Sequence, residues 1–301
     1  MSLLNRLIAT SLPAVPRSVV RRFSRPYIAG DSIEDMARVV SGLNAEGCLA
    51  TVDVLGEFVT SGEQAEATVR DYENALDAIA ARRLTSNVSV KLTALGLKLD
   101  KELCAGNLKR VVAKAAVRGN FVRIDMEDSS CTTDTLDLYF RLRAEYDNVG
   151  VVVQAYLRRS LADVRRLARA RASVRLCKGI YVEPRHLAFK DREIVNRNYV
   201  RLLEELLAAG CPVGIATHDE RLVWEAFRLV DGHAGPYEFQ MLLGVDAPLR
   251  RIIRGAGHAL RVYVPYGAKW YAYSLRRLRE NPQIAGYVLE NVLKRADSAR
   301  A

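Results

Sequence analysis

The sequence of 301 residues predicts a single (β/α)8 barrel, an α/β fold of the TIM type. Two observations support this prediction: short β-branched runs bounded by turn residues recur along the chain, and segments with helical spacing of apolar residues separate them. The strand runs lie at residues 50–55, 87–92, 121–126, 149–154, 174–178, 213–218, 237–242 and 260–264. No linker or low-complexity stretch interrupts the alternation, which favours one barrel domain.

The segments between the strand runs predict the helices of the barrel. They lie at residues 63–83, 100–118, 133–146, 160–172, 192–209, 219–230, 248–255 and 270–280. Asp100 is an acidic N-cap candidate for one of them. A further helix begins at Asp31 and Ser32, and another is expected at 282–295. We therefore expect an N-terminal helical segment, residues 1–46, packed on a barrel formed by residues 47–301.

An open, doubly wound sheet is the alternative fold for alternating strands and helices. Such a sheet normally has a glycine-rich nucleotide-binding turn after an early strand. Here the first strand continues into Leu55-Gly56-Glu57-Phe58, which lacks that pattern. The barrel is therefore the favoured fold.

The chain is basic, with 45 lysines and arginines against 35 aspartates and glutamates and a net charge of +10. The basic residues are spread over many segments and no nucleic-acid-binding motif occurs, so no nucleic acid partner is expected. The segment with Arg17, Arg21, Arg22 and Arg25 is either a helical cap on the barrel or a transient contact with an anionic membrane surface.

The cysteines and histidines indicate the cellular compartment and whether a metal site is expected. Five cysteines without a Cys-x-x-Cys pair predict free thiols in a reducing compartment. The histidines at 186, 218, 233 and 258 lack metal-ligand spacing, so no metal site is expected. The first residues do not resemble a signal peptide, and no apolar run has the length of a membrane span. We expect a cytoplasmic location, with or without peripheral association with the inner face of the membrane.

Polar residues concentrate at the predicted carboxyl ends of the strands, where (β/α)8 enzymes hold their active sites. Lys91, Arg276 and Arg277 offer positive charge for a ligand carboxylate, and Asp125 can pair with one of these cations. Neighbouring positions combine hydrogen-bonding groups, a glycine and cations for phosphate, as a cofactor surface requires: Gln154, Arg175, Lys178, Gly179, Thr217 and His218. No general base stands out, which suits chemistry supplied by a bound cofactor.

Eight stretches in order between residues 50 and 282 resemble the proline dehydrogenase family in its short, monofunctional bacterial form. Among them are Arg175-Leu176-Cys177-Lys178-Gly179-Ile180-Tyr181, Ala216-Thr217-His218-Asp219 and Arg276-Arg277-Leu278. The resemblance implies a distorted barrel whose eighth helix lies over the carboxyl ends of the strands. It also implies non-covalently bound FAD.

The resemblance assigns roles by position, and it assigns no catalytic acid or base. The carboxylate of proline would be bound by Lys91, Arg276 and Arg277, with Asp125 orienting the cations. The pyrrolidine ring would pack on Tyr181, Leu242 and Tyr263. Glu57 would pair with Arg276 as a gate over the substrate. Arg175 would approach flavin N5, Gln154 would bond the isoalloxazine edge, and the pyrophosphate and adenosine would lie along Lys178, Gly179, Thr217 and His218.

The implied reaction is the first step of proline degradation to glutamate. L-proline would be oxidised to Δ1-pyrroline-5-carboxylate by hydride transfer to flavin N5, with a membrane quinone as electron acceptor. Ile180 departs from the alanine that is common in the family, and its bulk bears on substrate fit. Tyr263 should crowd a ring hydroxyl, so proline is favoured over 4-hydroxyproline. A non-catalytic amino-acid or flavin binder and a dehydrogenase of another cyclic amino acid are the alternatives.

Overall fold

A computed structural model describes residues 20–21, 24–271 and 274. Parallel strands close into a barrel in chain order, each pairing with its sequence neighbours, and the last strand pairs with the first. The strands are β1 (Leu49–Val54), β2 (Ser86–Val90), β3 (Val122–Ile124), β4 (Val149–Gln154), β5 (Val174–Cys177), β6 (Val213–Ala216), β7 (Tyr237–Leu242) and β8 (Leu260–Tyr266). The predicted (β/α)8 fold class is confirmed.

Helices precede β1 and connect the successive strands. They are α1 (Ile33–Ala45), α2 (Gly62–Ala81), α3 (Lys101–Val117), α4 (Thr132–Arg143), α5 (Ser160–Arg169), α6 (Arg192–Ala208), α7 (Glu220–Val230) and α8 (Ala247–Gly255). Residues 270, 271 and 274 are helical, at the start of the segment predicted as the eighth helix of the barrel. The rest of that segment and the helix expected at 282–295 lie outside the described residues, so their placement and the division at residue 46 stay predictions.

Side-chain caps explain where several helices begin. Ser32 caps α1 by accepting a hydrogen bond from the Asp35 amide at 3.1 Å, so the helix start expected at residues 31–32 is confirmed. Asp100 caps α3 in the same way, with its carboxylate 2.6 Å from the Leu103 amide. Such caps satisfy amides that have no partner within the helix, and a carboxylate there also complements the helix dipole.

The strands are built for burial on both faces, as in other parallel barrels. In β4, Val149, Val151 and Val153 alternate with residues directed into the barrel and are at most 4% exposed. Tyrosines of the outer helices reach between the strands: the hydroxyl of Tyr72 donates to the Ser89 carbonyl at 2.7 Å, and that of Tyr199 donates to the Leu176 carbonyl at 3.1 Å. The helices are thereby fixed to the barrel by hydrogen bonds as well as by apolar packing.

The five cysteines are free thiols, and Cys177 alone among them is partly exposed. No helix in the described part of the chain combines the length and the apolar character that crossing a bilayer requires.

The barrel interior around Arg123 of β3 is polar and close-packed. The Arg123 guanidinium donates to the Val151 carbonyl at 3.2 Å and to the Ser173 carbonyl at 2.6 Å. Burial lowers the pKa of Arg123 to about 9. Gly150, which pairs with Arg123 across β3 and β4, leaves room for this side chain. A Cβ atom at Gly150 would lie 2.3 Å from Arg123 Nη1 and 2.6 Å from the Ser173 carbonyl oxygen.

We predict that Gly150→Ala lowers the free energy of unfolding by about 1–3 kcal/mol, because the added methyl group collides with backbone as well as with a fixed side chain. Urea unfolding followed by circular dichroism measures this. Gly42→Ala is the control, since nothing lies within 4 Å of the corresponding Cβ in the exposed face of α1. The control should be neutral or stabilising by up to about 1 kcal/mol. Equal stability of the Gly150 variant and the wild type would contradict the packing described here.

Candidate active site

A cavity of about 460 Å³ opens at the carboxyl ends of the strands. This volume falls within the range of small-molecule and cofactor sites. Its wall includes inward-facing residues from most of the strands and from the loops that follow them. The lining residues from the predicted site are Lys91, Asp125, Gln154, Arg175, Lys178, Gly179, Tyr181, Thr217, His218, Leu242 and Tyr263. The structure thus brings together the substrate-side and cofactor-side residues in one cavity.

Lys91 follows β2 and forms a buried ion pair with Asp53 of β1. Its ammonium nitrogen lies 2.7 Å from each carboxylate oxygen of Asp53. Lys91 is 7% exposed and Asp53 is fully buried. Burial raises the pKa of Asp53, and the Lys91 charge is the largest of the opposing effects. Each charge therefore depends on the other for its place in the barrel.

Tyr263 of β8 links this pair to a second one. Its hydroxyl accepts from the Lys91 ammonium at 3.2 Å and donates to Asp125 Oδ2 at 2.8 Å. The other oxygen of Asp125 accepts from Arg175 Nη1 at 2.7 Å. The Arg175 guanidinium lies 5.3 Å from the centre of the Tyr263 ring, within reach of a cation–π interaction. Three neighbours therefore hold Tyr263 at the cavity wall: Lys91 and Asp125 bind its hydroxyl, and Arg175 lies near its ring.

The expected partner of Asp125 was one of the cations Lys91, Arg276 and Arg277. Within the described residues, the structure pairs Asp125 with Arg175 and connects it to Lys91 through Tyr263. Arg276 and Arg277 lie outside the described residues.

A chain of side-chain hydrogen bonds also holds Arg175 in place. Its Nε donates to Gln240 Oε1 at 2.5 Å, and the amide of Gln240 donates to Glu238 Oε1 at 2.6 Å. Glu238 in turn binds Arg261 through contacts of 2.5 and 2.9 Å. Burial alone would raise the pKa of Glu238, but the bonds from Arg261 and Gln240 bring it below its usual value. This chain of hydrogen bonds fixes the orientation of the Arg175 guanidinium.

Gln154 ends β4 and is 2% exposed. Its amide nitrogen donates to the carbonyls of Met126 and Glu127 at 2.9 and 2.8 Å. Its carbonyl oxygen is buried and has no hydrogen-bond partner within the described part of the chain. A buried acceptor of this kind is costly unless a ligand supplies the donor.

Lys178, after β5, is held by Asp219, after β6. One oxygen of Asp219 accepts from Lys178 at 2.8 Å, from Arg192 at 2.9 Å and from the Asn196 amide at 3.3 Å. Burial would raise the pKa of Asp219, but the bonds from Arg192 and Lys178 keep it well below its usual range. The Thr217 hydroxyl supports the turn by accepting a hydrogen bond from the Asp219 amide at 3.1 Å. Two cations are therefore collected at one edge of the cavity, as phosphate binding requires.

His218 and the β5–α6 loop complete the wall. The Leu242 amide donates to His218 Nε2 at 2.9 Å, so this nitrogen carries no proton and the ring packs against the end of β7. Gly179 has a φ of 105°, and a Cβ there would lie 2.1 Å from a ring carbon of Tyr156. Ile180, the departure from the family pattern, lines the cavity with 46% of its surface exposed.

Glu57 lies in the turn after β1, half-buried, and does not line the cavity. Its expected partner Arg276 falls outside the described residues, as does Arg277. The gate and two of the three expected carboxylate-binding cations therefore rest on the sequence alone.

Four residues of the site were not among its predicted members: Asp53, Gln240, Arg192 and Asp219. Asp53 and Gln240 carry a signal that the sequence offers, because polar residues in apolar strands demand buried partners. Asp219 adjoins Thr217 and His218, and its role follows from a bond to Lys178 that is 41 residues away in sequence. Arg192 carries no sequence signal, since it is one of many basic helix residues.

A family model described as proline dehydrogenase matches residues 36–289. "Proline dehydrogenase 1" of Bacillus subtilis is 36% identical over 275 residues, covering 90% of this chain and 91% of the relative. "Proline dehydrogenase" of Deinococcus radiodurans is 37% identical over 276 residues, covering 89% of each chain. The chain belongs to the proline dehydrogenase family.

A solved structure agrees with this membership at the level of the fold. Proline utilization A (PutA) from Bdellovibrio bacteriovorus, inactivated by N-propargylglycine, superposes with a TM-score of 0.82 at 24% sequence identity. The match covers 90% of this chain and 36% of the PutA chain, so this proline dehydrogenase family member spans about a third of that protein. It spans about nine-tenths of the two named proline dehydrogenases.

We predict that Asp53→Asn lowers the free energy of unfolding by about 3–5 kcal/mol, because it leaves the Lys91 ammonium buried without a countercharge. Denaturant unfolding of the protein without added ligand measures this. Glu193→Gln is the matched control: it removes the partner of Arg197 from a pair whose side chains are 58% and 80% exposed. The control should cost no more than about 1 kcal/mol. A similar loss for both variants would show that the Asp53–Lys91 pair is not a buried one.

Proposed function

We propose that this chain oxidises L-proline to Δ1-pyrroline-5-carboxylate with a non-covalently bound FAD, as the first step of proline degradation to glutamate. The observation that supports it most is the joined pair of ion pairs, Asp53–Lys91 and Asp125–Arg175, which meet at Tyr263 on the wall of the cavity. Family membership gives this cluster its substrate, because the relatives are named proline dehydrogenases.

The proposed proline site is cationic and has an aromatic wall. Lys91, Arg276 and Arg277 bind the carboxylate in this proposal, and the ring lies against Tyr181, Leu242 and Tyr263. Anchoring at one end restricts the ring to a few orientations, and such positioning contributes up to about 7–11 kcal/mol to a reaction barrier. Asp125 acts on the cations and on Tyr263 rather than on the substrate, since both of its oxygens have partners.

The substrate amine must be neutral before the adjacent carbon gives up its hydrogen. Burial in the cavity favours that state, and so do the charges of Arg276 and Arg277 in this proposal, since Asp53 and Asp125 balance those of Lys91 and Arg175. Desolvation and like charge both lower the pKa of an ammonium group. No side chain has to act as a strong base if the bound amine loses its proton to solvent as it enters.

The cavity fits a flavin nucleotide on the strength of its own polar groups. The orphaned Gln154 carbonyl calls for an N–H donor, which the isoalloxazine edge has, and Lys178 and Arg192 suit the pyrophosphate. Gly179, Thr217 and His218 complete the proposed cofactor wall, and Arg175, which also lines the cavity, is proposed to approach the reacting edge of the ring. FAD, when bound, would supply a hydride acceptor at N5, and a quinone is the proposed final acceptor of the electrons.

The proposed electron acceptor is a membrane quinone, reached from the cytoplasm by transient contact with the inner face of the membrane. The net charge of +10 supports attraction to anionic lipid. Glu57 is proposed to pair with Arg276 as a gate that excludes water from the closed site.

An anaerobic titration of the purified flavin-loaded protein with L-proline tests the proposal. We expect L-proline to bleach the flavin absorbance, because the cluster holds proline for oxidation. The matched variant combines Asp53→Asn with Lys91→Met, which removes both members of the buried pair and so leaves no stranded charge. This double variant should retain flavin but need at least about tenfold more proline for the half-maximal rate of flavin reduction. A flavin that dithionite reduces but L-proline does not would refute the function, and faster reduction by pipecolate would assign another cyclic amino acid.

Tyr263 should set the preference for proline over 4-hydroxyproline, because its ring is fixed by Lys91 and Asp125 and cannot move aside. Tyr263→Ser should therefore raise the ratio of kcat/KM for hydroxyproline to that for proline by roughly tenfold or more. Tyr263→Phe keeps the ring but loses both hydrogen bonds, so it should reduce activity and raise the ratio by less than Tyr263→Ser does. Steady-state kinetics on the two substrates measure both ratios, and equal ratios in all three proteins would remove Tyr263 from the specificity wall.

A further inference from the structure

The loop between β5 and α6 carries Ile180 and Tyr181 to the cavity, although much of the loop is exposed. Ile180 and Val182 are 46% and 90% exposed, so apolar packing does little to hold this segment in place. Tyr181, between them, is half-buried. A loop residue can present a fixed surface to a ligand only if neighbouring groups support the loop.

Glu183 supplies such support by docking the loop on the turn after β3. It lies between exposed neighbours in sequence, yet it is only 6% exposed itself. One of its carboxylate oxygens accepts from the Ser129 amide and the other accepts from the Ser129 hydroxyl, both at 2.6 Å. Its backbone carbonyl accepts from the Lys190 ammonium. Hydrogen bonds to a carboxylate are stronger than those between neutral groups, so this contact is a firm attachment.

The start of the same loop has attachments of its own. The Lys178 carbonyl accepts from the Tyr156 amide at 2.8 Å, and Gly179 lies against the Tyr156 ring. The Lys178 ammonium donates to Asp219 at 2.8 Å. These contacts are separate from the bonds that Glu183 makes. The loop is therefore attached at two points, one for its start, proposed to face the cofactor, and one for the part that follows.

We propose that Glu183 is a positioning residue for the amino-acid substrate: bound to Ser129, it holds Tyr181 at the cavity wall. The inference rests on the proposed function for the substrate and for the role of Tyr181, but the docking of the loop is independent of it. If Glu183 releases the loop, Tyr181 is free to withdraw and the substrate ring loses a contact. Lys178 and Gly179 keep their own attachments, so flavin binding should not change.

Trypsin measures the docking directly. Arg185 is exposed, and its carbonyl accepts from Arg158 Nε at 2.9 Å, so cleavage after Arg185 requires the loop to open locally. Glu183→Ala should speed this cleavage about tenfold. Glu183→Gln keeps a carbonyl acceptor for the Ser129 amide and should restore most of the protection. Glu193→Ala, which removes a glutamate with 58% side-chain exposure at the start of α6, is the control and should leave the rate unchanged.

Steady-state kinetics and flavin content of the flavin-loaded protein test the effect on the substrate. In Glu183→Ala the KM for L-proline should rise about fivefold to tenfold, with kcat and bound flavin within about twofold of wild type. Ser129→Ala removes only one of the two bonds, so it should raise the KM by a smaller factor even if Glu183→Ala folds poorly. Flavin loss that parallels the rise in KM would overturn the separation of the two attachments.

A double variant decides whether the effect passes through Tyr181. If it does, Tyr181→Ala should already have the raised KM, and adding Glu183→Ala should change it by less than about twofold. Independent, multiplying effects on KM would overturn the positioning role, as would trypsin cleavage of Glu183→Ala at the wild-type rate. If L-proline fails to bleach the wild-type flavin, the proposed function and the substrate part of this inference fall, whereas the trypsin result still decides the docking of the loop.

Discussion

The mouth of this barrel depends on burying four charges together. Lys91, Asp53, Asp125 and Arg175 are each at most 9% exposed, and Tyr263 joins the two pairs they form. Removing an ion from water costs several kcal/mol even after a protein relaxes around it. Such a cluster persists only if each member has close partners, which the contacts of 2.7–2.8 Å within the pairs and to Asp125 provide. The rest of the cavity is arranged around groups that cannot move independently.

Rigidity on this side of the cavity has a consequence for catalysis. A tyrosine held by an ammonium and a carboxylate presents one fixed surface to a ligand ring, and an arginine held by Asp125 and Gln240 presents one fixed edge to a cofactor. Preorganised charges of this kind stabilise a reaction without moving during it. The proposed flavin side differs, because its cations are more exposed, Lys178 by 30% and Arg192 by 77%, and share the buried Asp219 carboxylate. In the proposed function a phosphate would take the place of that carboxylate as their partner.

The sequence predicted the fold better than it predicted the contacts. Runs of β-branched residues and helical spacing are local signals, so all eight strands and the helices up to α8 could be placed, with Asp100 and Ser32 marking starts that the structure confirms. Which charges pair is not a local property. Asp125 binds Arg175, which is 50 residues away in sequence, and Lys178 binds Asp219, which is 41 residues away. These partners come together because the barrel closes. The family resemblance supplied the members of the site, but it could not supply these partners.

The charges of the described cavity residues cancel, and this bears on how the site could attract a carboxylate. Lys91 and Arg175 contribute +2, and Asp53 and Asp125 contribute −2, so the substrate wall is neutral before a ligand enters. Lys91 already contacts both oxygens of Asp53 and the Tyr263 hydroxyl, and the contact with Tyr263 is the longest at 3.2 Å. An ammonium has three protons, so a carboxylate that binds Lys91 has to replace that contact first. If the site binds the proline carboxylate as proposed, net attraction would come from further cations, which is the role that the family resemblance gives to Arg276 and Arg277. In the proposed function the barrel would supply the shape and orientation of the site, and Arg276 and Arg277 would supply most of its affinity for an acid.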